Sequence, residues 1–497
     1  DFELYKDVIQ AGYRFHDMML DTLLKLAGED TTVMLISDHG FEPGNLRPQN
    51  IPNEPAGPAA EHSQYGIFCL AGPGIKKGER IHGATLLDIT PTLLHLNGLP
   101  VGRDMDGKVL VNCFEEEQAP DFTDSWDDIP GEHPDGRHSV NTQIDAKDAR
   151  ESIQQLVDLG YIDAPNPDQA AAIEETVREL DYNLAQANMD GSRYGEAARI
   201  LERLWERWPE ESRFGVRLLS CALALREADW ARATFDLLVA RKQEHAPKAA
   251  KLIETLMADL KAKAEKEDKE FKHEDIPKAA QQRLRRLRGQ ASTNVQALAF
   301  LQSNVLKLEG KTAESLAVLE KVTGAEQALQ PSVLSKRGEL LRELRRWNEA
   351  DEVYRKLIEI DPRNSEGHYG LACCEFARKK PFETAAQALK ALEYNFHHAQ
   401  ARYLYSKALM RLGKPKFAEQ VLKAAVAEMP RFALAHAMLA LIYRKWLKQP
   451  EKDAEHRKLA RESAKLNREH RRGPVSDENA TPPPVPEFTP LAAIIGR

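Results

Sequence analysis

The chain has 497 residues, of which 42% are hydrophobic and 29% charged, and its formal net charge is −8. This length and apolar content allow roughly two to four domains with sizeable cores. The acidic balance argues against nucleic acid as the main partner, because binding to a phosphate backbone needs an excess of Lys and Arg. No apolar run approaches the ~20 residues of a membrane span, so none is expected.

Cysteine usage and the first residues bear on the compartment. The five cysteines contain no C-x-x-C pair, and most lie in apolar or helical surroundings. This pattern predicts buried thiols, not a disulfide framework. The chain starts at Asp1 with no signal-peptide pattern, so the compartment cannot be read from its beginning, although a cytoplasmic location is favoured. Because an amphipathic helix pattern starts at Leu4, we expect a piece of a longer protein.

The first elements alternate between helix and strand. An amphipathic helix is predicted from Leu4 to Ala27, followed by the apolar run TVMLI and then by GIFCLAG, Gly66 to Gly72. The stretch LLDITPTLLHLNGLP predicts a helix that starts at Thr90 and Pro91 and ends at Gly98. Neither apolar run alternates with polar residues, as in strands covered on both faces. The predicted fold class is therefore α/β with a mostly parallel sheet.

Beyond this region the composition changes. Glu115 to Asp148 is acidic and rich in Pro and Gly, which predicts an irregular connection. Ala149 to Ile162 predicts a short amphipathic helix at the end of a first region, 1–165. From 178 to 466 the pattern is helical, with a charged helical insert near 242–290, and the Pro-rich tail 467–497 is predicted to be disordered.

The helical region repeats with a period near 34 residues. Small residues recur at spacings of 35, 34, 34 and 34, at Ser303, Gly338, Ala372, Ser406 and Ala440. A second small position recurs at Ser315, Ala350, Ala385 and Ala418. Small side chains let two helices approach, which a stack of helix hairpins requires. The region resembles the tetratricopeptide repeat family, with six or seven units between Arg178 and Lys465 that form an all-α solenoid.

One short motif could carry chemistry. The first apolar run ends on Ser37-Asp38-His39-Gly40. In an open α/β sheet, ligands gather where strands end, and a carboxylate beside an imidazole suits Zn²⁺, and also Mn²⁺ or Fe. Taken alone, Asp38-His39 is more often an ordinary surface loop.

A set of motifs in the same order changes that interpretation. SDHG is followed by His62 just before a G-I-F strand, then by A-G-P-G-I, D-I-T-P-T-L-L, G-L-P and D-M-D-G. Together they resemble the C-terminal part of an alkaline phosphatase superfamily domain, most closely the type I phosphodiesterase/nucleotide pyrophosphatase branch. The resemblance covers about residues 1 to 114.

The resemblance implies a site with two metal ions. Asp38 and His39 match the ligands of one ion and His62 matches a ligand of the other, so Zn²⁺ is the expected cofactor and a phosphate ester the expected substrate. In this family two metals activate a Thr or Ser nucleophile and stabilise the leaving oxygen. That nucleophile and a D-x-x-x-H pair are expected upstream of residue 1. The lone upstream His16 is interpreted as a structural residue on a packed helix.

Two classes of function follow. In the first, the parent protein is a metal-dependent phosphoric ester hydrolase whose repeats recruit a protein or peptide, and the present chain alone is expected to have negligible activity. In the second, the chain is a non-catalytic repeat scaffold with a vestigial hydrolase domain. Repeat arrays commonly hold peptides or helices on extended concave surfaces.

Overall fold

The structure is a computed structural model that describes residues 6–41, 62–63, 65–116, 118–128, 155, 169–266, 271, 276–292, 294–322 and 330–470. The chain divides into two units, Asp1–Ile51 with Pro58–Arg150, and Pro52–Gly57 with Glu151–Arg497. The helix predicted at Ala149 to Ile162 lies almost wholly outside the described residues. So does the predicted tail from residue 471 onward, whereas residues 467–470 belong to the last helix.

The N-terminal unit begins with helix α1, Val8–Ala27, close to the predicted helix. Its apolar side chains recur at helical spacing, yet none of its residues is buried. His16 is exposed and its ring lies 5.7 Å from that of Phe15. The interpretation of His16 as a structural residue on a packed helix is therefore wrong for the described residues, because the helix has no packed face there.

The strands of this unit are short and pair two by two. Strand β1, Val33–Ile36, pairs antiparallel with β4, Phe68–Ala71. Strand β2, Gly40–Phe41, pairs antiparallel with β3, His62–Ser63. Only β5, Val101–Gly102, and β6, Phe122–Thr123, pair in parallel among the described residues.

The prediction of a mostly parallel sheet is thus wrong for the described part of the chain. It rested on two apolar runs without alternation, but both β1 and β4 are partly exposed. A run of four apolar residues carries no information about strand direction. In the structure β4 runs antiparallel to β1, and β3 runs antiparallel to β2.

Helix α2, Ile89–Leu96, follows the predicted pattern and ends before Gly98, whose φ of +67° suits glycine. Asp88, only 3% exposed, organises its start. The Asp88 carboxylate accepts hydrogen bonds from the backbone N–H groups of Thr85 (2.9 Å) and Lys108 (2.8 Å). The Thr92 hydroxyl donates to the Asp88 carbonyl at 2.6 Å. Asp88 is therefore a structural residue that joins the start of α2 to the segment at Lys108.

The second unit is a stack of helices. The described helices are α3 Gln169–Asp190, α4 Tyr194–Arg207, α5 Ser212–Leu225, α6 Ala228–Lys266, α7 Lys278–Ala291, α8 Val295–Leu308, α9 Thr312–Val322, α10 Pro331–Glu343, α11 Trp347–Ile360, α12 Ser365–Ala377, α13 Pro381–Tyr394, α14 Ala399–Arg411, α15 Pro415–Glu428, α16 Ala433–Ile442 and α17 Pro450–His470. A single π-helical turn, Tyr443–Leu447, links the last two.

These helices form antiparallel hairpins that repeat about every 34 residues, as predicted. Prolines begin α10, α13, α15 and α17, at the first helical position where a missing N–H costs nothing. The turns inside three successive hairpins each hold one residue in the left-handed region, at Arg345, Lys379 and Gly413. In the described part of the array seven hairpins can be paired, with α7 outside the pattern.

The insert lies where the period breaks. Helix α6 runs for 39 residues, well past the hairpin length, and its distal part packs against α7. The Lys242 ammonium donates to the carbonyls of Gly289 and Ser292 at the end of α7, each at 3.0 Å. Cations stabilise helix C-termini, where carbonyls lack partners. Helix α8 contacts both α5 and α6, so the α6–α7 extension is added beside a continuous array.

Small residues allow the hairpins to stack, and one aromatic ring shows how. The Tyr354 side chain on α11 is 3% exposed and lies against Gly338 of its own hairpin and Gly370 of the next. One repeat earlier, Ser303 takes the place of Gly338 and Ser315 the place of Ala350, and their hydroxyls form a 2.7 Å hydrogen bond. The fully buried residue at the second small position is Thr384, not Ala385 as predicted, because α13 keeps the 34-residue spacing from Ala350.

Candidate functional site

Asp38 and His39 lie in an interruption of the antiparallel ladder. Three residues separate Ile36 from Gly40, whereas four separate Ser63 from Phe68 on the opposite strand. The extra residue breaks the regular pairing, as a bulge does, and bulges often re-aim side chains near functional sites. Gly66 allows the chains to approach here, because a Cβ at this position would lie 1.9 Å from the Ser37 carbonyl oxygen.

The structure brings His39 and His62 into direct contact. Their rings stack with centroids 3.6 Å apart and planes inclined by 9°. The Phe41 ring meets both edge-on, at 5.3 Å from His39 and 5.2 Å from His62. Since β2 and β3 pair Phe41 with His62, the register of this short ladder fixes the cluster. Two predicted ligands far apart in sequence are therefore neighbours.

Hydrogen bonding selects the free nitrogen of His39. The Nδ1–H of His39 donates to the Gly40 carbonyl oxygen at 2.9 Å, because a carbonyl can only accept. In the neutral ring Nε2 then carries the lone pair, and it lies 3.7 Å from Asp38 Oδ1. Ligand atoms with bonds of ~2.1 Å to one tetrahedral ion stand roughly 3.4 Å apart. The Asp38–His39 pair therefore fits two adjacent positions on one ion, with a carbonyl holding the ring as in many metal sites.

His62 does not fit the same ion as His39. Nitrogen lone pairs lie in the plane of the imidazole ring, and two nearly parallel planes 3.6 Å apart do not converge on one point. The two rings therefore do not share one ion. Among the described residues, however, no group of three or more His, Cys, Asp or Glu side chains could hold a metal ion.

A second candidate surface lies on the array, on helices α10, α12 and α14. We call it the cation–aromatic face, and it comprises Arg342, Tyr369, Phe376, Tyr403, Lys407 and Arg411. The Arg411 guanidinium lies 3.7 Å from the centroid of the Phe376 ring, and the Lys407 ammonium lies 4.4 Å from it. The Arg342 guanidinium lies 5.3 Å from the Tyr369 ring. Helices that occupy equivalent places in successive hairpins thus present cations over aromatic rings.

No described carboxylate forms an ion pair within 4 Å with the cations of this face, although the Arg342 charge helps to lower the pKa of the Glu366 carboxyl. Within 4 Å of the charged groups of Arg342, Lys407 and Arg411, no described Asp or Glu oxygen forms an ion pair. Burial lowers the pKa of the Lys407 ammonium, and the nearby Arg411 charge lowers it further. An ammonium group whose charged form is destabilised in this way is stabilised when an anion binds beside it. The face is therefore suited to carboxylate groups of a partner.

Sequence reasoning missed the cation–aromatic face. Its signals were present: Tyr369 and Tyr403 lie one repeat apart, and Lys407 and Arg411 lie four residues apart on one helix. The repeat alignment identified the buried small positions, which the packing of hairpins dictates. It did not mark the exposed positions beside them, because any polar residue is tolerated there.

Two other predictions from the sequence concern buried thiols and membrane-spanning helices. All five cysteines are free, and Cys113, Cys221 and Cys374 are buried, while Cys69 is exposed. Burial raises the pKa of the Cys113 thiol to about 11, so this thiol stays protonated at neutral pH. Within the described ranges, no helix is both long enough and apolar enough to cross a membrane.

Comparisons with known proteins give partial likenesses to helical proteins. No protein-family model matches the chain, and no curated protein matches it. A crystal structure of MamA is 18% identical with a TM-score of 0.30, covering 34% of this chain and 96% of the MamA chain. A second MamA crystal structure, also 18% identical at a TM-score of 0.30, covers 39% of this chain and all of MamA. Likeness at this level carries no argument about what this chain binds. Nothing in the comparisons supports the alkaline phosphatase superfamily resemblance, which stays a prediction.

Proposed function

We propose that the chain is a protein-interaction scaffold whose helical repeats bind a carboxylate-rich segment of a partner at the cation–aromatic face. The observation that supports this proposal is a set of Lys and Arg side chains that lie over aromatic rings and form no ion pair with a described carboxylate. The array resembles tetratricopeptide repeats, and stacked hairpins of this kind commonly bind peptides on one face.

The expected chemistry of recognition combines charge and contact with aromatic rings. A carboxylate of the partner that contacts Lys407 and Arg411 replaces water around these two neighbouring cations. The Phe376 ring lies under both cations and contributes apolar contact area beside them. Complementary charge of this kind raises association rates and weakens with salt. Affinity is therefore expected to depend on both ionic strength and acidic residues in the partner.

Binding of a defined acidic peptide tests the proposal. The probe is a short fluorescein-labelled peptide of Glu, Gly and one Phe, and its matched peptide carries Gln in place of Glu. We expect the acidic peptide to bind and the Gln peptide to bind at least tenfold more weakly. Lys407→Gln and Arg411→Gln should each weaken binding about tenfold, or ~1.4 kcal/mol. Fluorescence anisotropy at about 50 and about 200 mM salt measures these affinities.

Lys390→Gln is the matched control, because Lys390 is an exposed cation on α13 outside the face. It removes one positive charge, as Lys407→Gln does, and should leave affinity within about twofold. Equal losses of affinity in the Lys407, Arg411 and Lys390 variants would show that binding depends on net charge and not on the cation–aromatic face. Equal affinity for the acidic and Gln peptides would contradict the proposal.

We propose metal-dependent hydrolysis of phosphoric esters by the parent protein as the second candidate function. Its support is the stacked His39–His62 pair beside Asp38, together with the ordered motifs of the alkaline phosphatase resemblance. Here Asp38 and His39 would hold one Zn²⁺ and His62 another. The metals would supply Lewis acid activation of the ester.

A metal titration tests this second candidate. With two protein ligands or fewer for each ion, Zn²⁺ should bind far more weakly than at a four-ligand structural site, whose binding is worth about 10–16 kcal/mol. Calorimetry should detect this weak binding and its loss in His39→Ala, whereas His16→Ala should bind unchanged. Hydrolysis of phosphate mono- and diesters should be negligible. Unchanged zinc binding in both His39→Ala and His62→Ala would refute the assignment.

A further inference from the structure

A buried polar position recurs in the last three hairpins. His368, Arg402 and His436 lie 34 residues apart, and each is at most 9% exposed. Each donates a hydrogen bond to the carbonyl oxygen six residues earlier. His368 Nε2 reaches Pro362 at 3.1 Å, Arg402 Nη2 reaches Phe396 at 2.8 Å, and His436 Nε2 reaches Pro430 at 2.9 Å. In these three hairpins the position supplies a hydrogen-bond donor to a backbone carbonyl, whereas Leu334 occupies the equivalent buried position one repeat earlier.

The second nitrogen of each histidine contacts the following helix, and the partners differ. His368 Nδ1 lies 2.8 Å from the side-chain amide oxygen of Gln387 on α13. His436 Nδ1 lies 3.0 Å from Nδ1 of His456 on α17. An amide group carries both a donor and an acceptor, so by rotating it can bond a neutral or a charged imidazole. An imidazole nitrogen either donates or accepts a hydrogen bond, and it can change between the two only by gaining or losing a proton.

The Pro430 carbonyl determines where the protons of the His436–His456 pair lie. Because that carbonyl only accepts, His436 Nε2 carries a hydrogen, and in the neutral pair one further hydrogen lies between the two Nδ1 atoms. One added proton is accommodated on the outer nitrogen of His456. A second would place N–H groups on both facing Nδ1 atoms, which cannot remain 3.0 Å apart.

We propose that the His436–His456 pair is a pH-sensitive contact that holds helix α17 on the array at neutral pH and releases it in mild acid. The contact lies at the junction of α16 and α17, where the Tyr443 ring also stacks on His456 with centroids 5.5 Å apart. Loss of the contact exposes the apolar cluster around Leu439, Ile442 and Tyr443. The earlier His368–Gln387 contact lacks this response.

The charged groups around the pair favour the same direction. Burial lowers the pKa of His456, and so do His436, Lys423 and Lys452, whereas Glu455 raises it. Glu419 also faces this junction from α15, but it binds Lys423 at 2.9 Å and the Tyr443 hydroxyl at 2.8 Å. A base whose pKa is depressed in the folded state stabilises that state above its unfolded pKa, near ~6.5, and loses the contribution as pH falls.

Hydrogen exchange of the full chain, resolved by peptide and corrected for the intrinsic pH dependence, tests the proposal. The protection of α17 against exchange should fall between about pH 7.5 and about pH 5. If release of α17 binds one additional proton, the fall should reach up to about tenfold for each pH unit below ~6. Helix α13 in the same sample should keep its protection. His456→Gln reproduces the pair found in the earlier hairpin and should abolish the pH response of α17.

Equal protection of α17 at both ends of the pH range would overturn the proposal, and so would an undiminished response in His456→Gln. If that variant does not fold, the wild-type chain still decides, because α13 and α17 are compared within one sample. A parallel loss of protection in both helices would mean general acid unfolding and would also overturn it.

Discussion

Replacing Gly370 with alanine is expected to make the repeat array about 1–3 kcal/mol less stable than an otherwise equivalent Gly→Ala change on another helix. A Cβ at Gly370 would lie 2.3 Å from the Tyr354 ring, whereas contacts below 3.0 Å are essentially never observed. The ring is 3% exposed and also lies against Gly338, so it has little room to move. Urea denaturation followed by circular dichroism measures the difference.

Gly195→Ala provides the matched control. Gly195 is also helical, and a Cβ there would meet nothing within 4 Å. Gly370 lies in the middle of its helix and Gly195 in a first turn, so the propensity gain of about 0.5–1 kcal/mol favours Gly370→Ala, and a lower stability of that variant reports the steric term. Combining Gly370→Ala with Tyr354→Leu should recover part of the loss, because the smaller side chain relieves the contact. Equal stability of the two alanine variants would show that Tyr354 does not occupy this gap.

Replacing Arg402 with methionine is expected to destabilise the array by about 3–5 kcal/mol. The side chains of Arg402 and Glu428 are 11% and 4% exposed, and the Arg402 Nε–H donates to a Glu428 carboxylate oxygen. Removal of the guanidinium leaves a buried carboxylate without its ion-pair partner and also removes a donor to the Phe396 carbonyl. The free energy of unfolding in urea measures the loss.

The double variant Arg402→Met with Glu428→Leu tests whether the cost arises from the stranded charge. Replacement of both partners by apolar groups is often neutral or stabilising, so most of the stability should return. Lys458→Met is the exposed control, because the Lys458–Glu462 pair has side chains 76% and 51% exposed. Its cost should stay below about 1 kcal/mol. An Arg402→Met cost as small as that of Lys458→Met would contradict a buried pair.

The sequence predicted the repeat array well because its period is imposed by packing. Gly338 and Ala350 can be recognised since only small residues fit where helices cross, and the structure buries both. One register error, Ala385 in place of Thr384, arose because threonine was not counted among the small residues. Positions outside the buried core have no such constraint, so the role proposed for Lys407 rests on its contact with the Phe376 ring in the structure.

The N-terminal unit was predicted less well. Helix α2 followed from its punctuation, since Pro91 and Gly98 limit where a helix can begin and end. Strand direction was wrong because β1 is four residues long and partly exposed, too short for its composition to report its partners. The resemblance assigned His39 and His62 to the two ions of one site and predicted no contact between them, and the stacking of their rings depends on a ladder of two residue pairs that no local pattern encodes.

The most direct test of the scaffold proposal measures the pKa of the Lys407 ammonium by competitive acetylation and mass spectrometry, with and without the acidic peptide. In the free chain this pKa is depressed by burial and by Arg411. If a carboxylate of the partner binds at the cation–aromatic face, the pKa of Lys407 should rise and its acetylation rate should fall, while Lys390 remains unchanged. An unchanged pKa and rate at Lys407 under saturating peptide would contradict the proposed binding site.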